Sequence, residues 1–267
     1  MIPLVSLPLH RRLEALAGAQ YLLVCSDYDG TLAPLAPRPE LAQPLLGVVN
    51  LLHKLAHLPC TRIAIISGRG QDNLRTHSGL DLPVLLVGSH GAELPGQAAG
   101  KADAGMWEDL TALGSAWEAI CTTAPGAWIE RKPMGIAIHV RNASPPVAEH
   151  ALAEVRRSLR AWPKAHVTEG KAIIEVSLSP ANKGDAVRWL RNDWGVVSQT
   201  LFLGDDLTDE AGFQALGTDD IGVKIGAGPT CAEYSVESER AALSILTDLW
   251  TRRAAINSAT VAPCFSC

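Results

Sequence analysis

Runs of near-continuous apolar residues recur in the first and last thirds of the chain, and each ends at a glycine or a charged turn. "YLLVCSD" (21–27), "TRIAIISG" (61–68), "PVLLVGS" (83–89), "TLFLGDD" (200–206) and "DIGVKIG" (220–226) read as strands. An unbroken apolar run suits a strand buried on both faces. Helical spacing lies between them. Leu41, Leu45, Val48, Leu52 and Leu55 predict a helix over 40–57, a short helix follows over 70–77, "KGDAVRWLRNDWG" (183–195) closes on Gly195 as a C-cap, and a further helix covers 239–250. Buried strands separated by helices predict an α/β fold, a Rossmann-like parallel sheet covered on both sides.

The middle of the chain follows another rule. After "GQAAGKADAG" (96–105), a linker by composition, comes a helix over 107–122 and strands over 127–132 and 135–142. A second helix over 146–161, with Val147, Ala151, Val155 and Leu159 four apart, leads to strands over 166–169 and 172–178. Here the strands alternate: Ile136, Ile138 and Val140 oppose His139 and Arg141, while Ile174, Val176 and Leu178 oppose Glu175 and Ser177. Alternation means one face on helices and one open face. The chain is therefore expected to hold a discontinuous core (1–98 and 182–267) and an inserted α+β cap (99–181).

Composition narrows the classes of partner. The 267 residues are 47% hydrophobic and 19% charged, with a net charge of −5 and a pI near 5.9. With no long basic run, neither nucleic acid nor an anionic membrane is an expected partner. No stretch of apolar residues is long enough to span a bilayer. The start, "MIPLVSLPLHRRLEALAG", lacks the pattern of a signal peptide. The six cysteines are scattered, which predicts a reducing, cytoplasmic setting, and the terminal "CFSC" reads as a frayed tail.

The polar residues at the strand ends are the candidate chemistry. Asp27 and Asp29 close the first strand, and two neighbouring carboxylates repel unless a cation or a proton separates them. They either open a turn before Gly30 or hold a cation such as magnesium. "ISGR" (66–69) offers Ser67 and Arg69, as a plain strand-to-helix turn or as a phosphate cradle. Lys183 opens a helix, against the macrodipole, either as a solvated lysine or beside an anion. "GDDLTDE" (204–210) puts Asp205 at a strand tip, while Asp209 and Glu210 suit a first helical turn. As a set, these residues fit transfer of a phosphoryl group to a carboxylate.

"DYDGTL", "ISGR", Lys183 in "KGD" and "GDDLTDE", in that order, resemble the haloacid dehalogenase superfamily across the whole core. Within it, "DYDGTLAPL", "GSHGAE", "ERKPMGIAIHVRNA" and "GKAIIEVSLSPANKG" are most similar to the trehalose-6-phosphate phosphatases. The resemblance implies a phosphatase that makes trehalose and phosphate through an aspartyl-phosphate. Alternatives are a sucrose-phosphate or mannosylglycerate-phosphate phosphatase, or a phosphomutase on the same scaffold. It implies Asp27 as nucleophile, Asp29 as general acid/base, and Ser67 and Lys183 on the phosphoryl group, with Arg69 near it. It further implies Mg²⁺ held by Asp27, Asp29 (through its backbone carbonyl) and Asp205, with Asp206 or Asp209 in support. Glu130, Lys132 and Glu175 would read the sugar, with His139 and Arg141 as weaker candidates and His90 structural. The expected partner is a small phosphosugar, bound by a monomer whose cap closes to exclude water.

Overall fold

The computed structural model describes residues 6–97, 104–163, 165–170 and 172–259. The "CFSC" tail and most of the linker fall outside them. The chain divides into two compact units, Met1–Gly91 with Asn182–Cys267, and Ala92–Ala181.

The first unit carries strands β1 (Leu22–Ser26), β2 (Thr61–Ile66), β3 (Leu85–Val87), β8 (Gln199–Gly204), β9 (Ile221–Ile225) and β10 (Tyr234–Val236). They form one parallel sheet in the order β10-β9-β8-β1-β2-β3. β1 is central and wholly buried, in register with both neighbours: Val24 lies beside Ile63 of β2 and Leu201 of β8. The order runs outward one way through β2 and β3 and the other way through β8 to β10. The direction therefore reverses between β1 and β8, and the carboxyl ends of those two strands form the crevice where open α/β sheets bind ligands.

The helices of this unit are α1 (Leu7–Ala17), α2 (Val48–Ala56), α3 (Gln71–Ser78), α6 (Lys183–Trp194), α7 (Glu210–Gln214) and α8 (Glu239–Ala259). Three features depart from the pattern-based expectation. The helix expected over 40–57 begins only at Val48. Pro39 opens a separate 3₁₀ turn (Pro39–Leu41), Pro44 lacks an N–H to continue it, and Gly47 turns left-handed at φ +90°. Leu41 is consequently exposed and does not share the buried face of Val48, Leu52 and Leu55. α1 was not expected, although its signals are ordinary: the Ser6 side chain accepts from Leu9 N–H, Pro lies in the first turn, and Leu9, Leu13 and Leu16 are buried. β10 is a short sixth strand beyond the expected five.

The second unit has helices α4 (Ala104–Thr123) and α5 (Pro145–Ser158) and strands β4 (Trp128–Lys132), β5 (Gly135–His139), β6 (His166–Gly170) and β7 (Ile173–Ser177). The strands form an antiparallel sheet in the order β4-β5-β7-β6. The expected alternation is present. Ile136, Ile138, Ile174 and Val176 pack with Leu113, Trp117, Ala151 and Val155 in one apolar cluster. Fully buried Trp117 donates its indole N–H to the Ser158 hydroxyl at 3.0 Å, which keeps that cluster free of an unpaired donor. Among the described residues of the whole chain, no helix is long and apolar enough to cross a membrane.

Candidate active site

At the crevice between β1 and β8, Asp27 leaves β1 with its N–H donating to the Leu203 carbonyl at 2.8 Å. Lys183 reaches the same point from the first turn of α6. A reciprocal capping box starts that helix, Asn182 Oδ1 accepting from Asp185 N–H and Asp185 Oδ2 from Asn182 N–H. The box sets Lys183 as the first helical residue, where its ammonium meets Asp27 Oδ1 at 2.7 Å and Asp209 Oδ1 at 2.8 Å. Lys183 is only 2% exposed. Its unfavourable place at a helix start is thus answered by two buried carboxylates.

Asp209 is fully buried and is fixed from both sides. Its other oxygen, Oδ2, accepts from the N–H groups of Asp205 and Asp206 at 2.9 and 3.0 Å. A 3₁₀ turn (Leu207–Asp209), capped by the Asp206 carboxylate on Thr208 N–H, curls the chain back to make this possible. Gly204 is required here, because a Cβ would lie 2.2 Å from Asp209 Cγ. A second lysine, Lys224, is the penultimate residue of an otherwise apolar buried strand and donates to the Asp205 backbone carbonyl at 2.6 Å. Sequence reasoning missed Lys224; its only signal was a charge inside "DIGVKIG".

Oxygens of Asp27, Asp205 and Asp209 lie within 4.8 Å of one another. Burial pushes the Asp27 carboxyl well up, Lys183 opposes this, and the neighbouring aspartates add to it. Burial, followed by Asp206 and Asp209, raises Asp205 to about 7. Burial also raises Asp209, against the pull of Lys183. On Asp206 burial is outweighed by Lys183 and by hydrogen bonds from Thr208 and Asp209, which bring it down to about 2. Lys183 itself goes well up, because Asp209 and Asp27 outweigh the cost of burying it. The protein thus supplies more buried negative charge than Lys183 balances. One oxygen, Asp205 Oδ1, is buried with no hydrogen-bond partner. An orphaned carboxylate oxygen within an all-oxygen cluster fits a hard divalent cation.

Asp29 stands apart from that cluster. Arg69 grips it through both oxygens, Nε to Oδ2 and Nη2 to Oδ1, each at 2.7 Å. Arg69 is itself held by the Pro39 carbonyl at 2.7 Å, by Asn73 Oδ1 at 3.2 Å and by the face of Tyr28, 5.1 Å from the ring centre. In this arrangement Arg69 orients Asp29. Ser67 is buried at the end of β2, its hydroxyl accepting from Arg69 N–H at 3.2 Å. Beyond β3, the strained left-handed pair Ser89 and His90 donates backbone N–H groups to the Arg69 and Ser67 carbonyls at 2.8 and 2.9 Å. His90 thereby braces the loop, with its ring 2.6 Å from where a Cβ on Gly68 would stand. Gly30 joins Asp29 to the rest: at φ +81° it turns the chain so closely past Asp205 that a Cβ would lie 2.1 Å from Oδ2.

In the second unit, register places Glu130 and Glu175 on either side of Ala137. Lys132 binds Glu175 at 2.5 Å. His139 contacts Glu130 at 2.9 Å and lies flat on Trp128. All of these occupy the sheet face opposite the apolar cluster, where Lys132 and Glu175 are nearly enclosed, at 7% and 10% side-chain exposure. Glu130, Lys132 and Glu175 are thus brought to one face, Lys132 paired with Glu175 and Glu130 with His139.

Four loops at the carboxyl ends of parallel strands, with an antiparallel sheet inserted after β3, form the haloacid dehalogenase arrangement. The trehalose-phosphatase family model matches residues 25–245. The chain belongs to the trehalose-phosphatase family. Over 245 residues it is 36% identical to the bifunctional trehalose-6-phosphate synthase/phosphatase of Thermoproteus tenax, covering 87% of this chain and 32% of that protein's length. It is 32% identical to the trehalose-6-phosphate phosphatase of Escherichia coli over 232 residues, 84% of this chain and 82% of that one. The solved C-terminal domain of C. albicans trehalose-6-phosphate phosphatase superposes with a TM-score of 0.79 at 26% identity, covering 93% of this chain and 98% of that one.

Proposed function

We propose that this trehalose-phosphatase family member hydrolyses trehalose 6-phosphate to trehalose and phosphate, through an aspartyl-phosphate on Asp27. The observation that carries the reading is Lys183, buried between Asp27 and Asp209 at the sheet's switch point. It pins Asp27 Oδ1, which orients the carboxylate, and Oδ2 would attack phosphorus.

In the first half-reaction the bond from Asp27 Oδ2 to phosphorus forms as the bond from phosphorus to the sugar oxygen breaks. Asp29, protonated and with one oxygen released from Arg69, gives its proton to that departing oxygen. In the second, Asp29 takes a proton from water, whose oxygen bonds phosphorus and releases Asp27. The Ser67 hydroxyl and the Lys183 ammonium hold phosphoryl oxygens throughout, and Arg69 keeps Asp29 aimed. Mg²⁺, held by Asp27, Asp205 and the Asp29 carbonyl with Asp209 behind them, would neutralise charge on the phosphoryl group. The polar face of the inserted sheet, through Glu130, Lys132 and Glu175, would read the sugar hydroxyls.

Phosphate release across trehalose 6-phosphate, sucrose 6-phosphate, mannosylglycerate phosphate and a small aryl phosphate tests this. Trehalose 6-phosphate should be preferred, and Asp27→Asn should lower turnover by about a thousandfold or more with an unchanged fold. Residual turnover near wild type would remove Asp27 as nucleophile. Phosphoryl return to sugar without free phosphate would identify a mutase.

A further inference from the structure

His139 and Trp128 lie opposite each other on β5 and β4, a directly paired position of the antiparallel ladder. Their rings are 4.0 Å apart and 4° from parallel. A stack so nearly coplanar leaves the imidazole little rotational freedom. It directs Nε2 diagonally along the sheet to Glu130 Oε2, 2.9 Å away. Both side chains are largely shielded, at 18% and 17% exposure. On Glu130 burial works to raise the pKa, but the His139 hydrogen bond, Lys132 and His139 bring it below the ordinary value. An ionised carboxylate only accepts hydrogen bonds, so Nε2 carries the hydrogen in this contact.

A free glutamate has three rotatable bonds, and ordering it at the moment of binding costs conformational entropy. A glutamate already held by one oxygen does not incur that cost again, and its second oxygen remains to accept from hydroxyls. We propose that His139, clamped by Trp128, is a positioning residue that holds Glu130 ready for sugar hydroxyls and so helps to set the preference for a disaccharide phosphate. The proposal rests on the trehalose 6-phosphate reading above. A plain cross-strand ion pair would instead only stabilise the sheet. The two differ in what they do to substrates that carry no sugar.

The test uses the full chain, with trehalose 6-phosphate and an aryl phosphate as substrates and thermal unfolding alongside. His139→Ala should raise KM for trehalose 6-phosphate about tenfold with kcat changed less than about twofold, and leave the aryl phosphate unaffected. His139→Gln, which keeps an N–H donor near the Nε2 position, should restore most of the affinity. Trp128→Phe, which keeps a stacking face, should stay close to wild type, and Trp128→Ala should follow His139→Ala. Equal losses on both substrates, or a lowered melting temperature with KM unmoved, would overturn the positioning role. A wild-type protein that turns over the aryl phosphate but not trehalose 6-phosphate would overturn the substrate reading, and the proposal with it.

Discussion

The two units handle charge by opposite rules. In the core, strands are buried on both faces, so charged side chains gather at strand ends and loops, where Asp27, Lys183 and Asp209 are almost wholly enclosed. In the inserted unit, strands alternate, so Glu130 and Glu175 in mid-strand and Lys132 and His139 at strand ends stand on a single face. An enclosed charge has few ways to relax when its partner is lost, because the remaining charge stays buried and unpaired. Glu130 and His139 are less enclosed, at 17% and 18% side-chain exposure, and can exchange a partner for water or for a ligand, while Lys132 and Glu175 at 7% and 10% come closer to the core's rule. The core should therefore fail as a unit, while the inserted sheet should fail gradually and selectively.

Lys183→Met puts that contrast under the greatest load. It leaves Asp27 and Asp209 buried without their ammonium, and should cost about 3–5 kcal/mol of stability as well as turnover on every substrate. Chemical denaturation together with phosphate release checks both; a stable, active variant would dissolve the distinction between the units. Glu175→Ala should act more narrowly. It should lower kcat/KM for trehalose 6-phosphate about tenfold or more and leave an aryl phosphate within about twofold, and equal losses would take Glu175 out of sugar recognition. The smallest effect lies in acid. Glu130 has a lowered folded-state pKa, since its bond to His139 and the charge of Lys132 outweigh its burial. Its ionised form thus contributes stability above its ordinary value of 4.5, and that contribution disappears as pH falls through the lowered pKa. Wild type should exceed Glu130→Gln by less than about 1 kcal/mol near neutrality, with the gap closing below pH 4.5. Denaturant midpoints between pH 6 and 3 measure it.

Much of this was legible in the sequence because strand ends announce themselves. The apolar run before Asp27 and the one before Asp205 each predicted a strand whose tip carries a carboxylate, and the sheet order brought those tips together. The alternation in 135–142 and 172–178 likewise predicted which side chains share a face. What stayed hidden depends on chain reversal over a few residues. Asp209 suits a helix dipole when read along the chain, yet a 3₁₀ turn folds it back onto Lys183. Lys224 touches a backbone carbonyl, which no side-chain pattern records. The helix expected over 40–57 failed because leucine spacing was followed past Pro44 and Gly47, residues that do not continue a helical turn.

At the opposite end of the core sheet one arginine ties two strand entries together. Arg253 of α8, 3% exposed, gives its guanidinium to the Thr61 hydroxyl and to the carbonyls of Ala17, Ala19, Pro59 and Cys60, where the chain enters β1 and β2. Five acceptors from two separate entry points converge on one rigid cation, much as a keystone gathers the thrust of two arches. The core is thus polarised along its strands, with reactivity at the exit of the chain and cohesion at its entrance. Substitution of Arg253 should therefore lower the melting temperature while leaving turnover close to wild type.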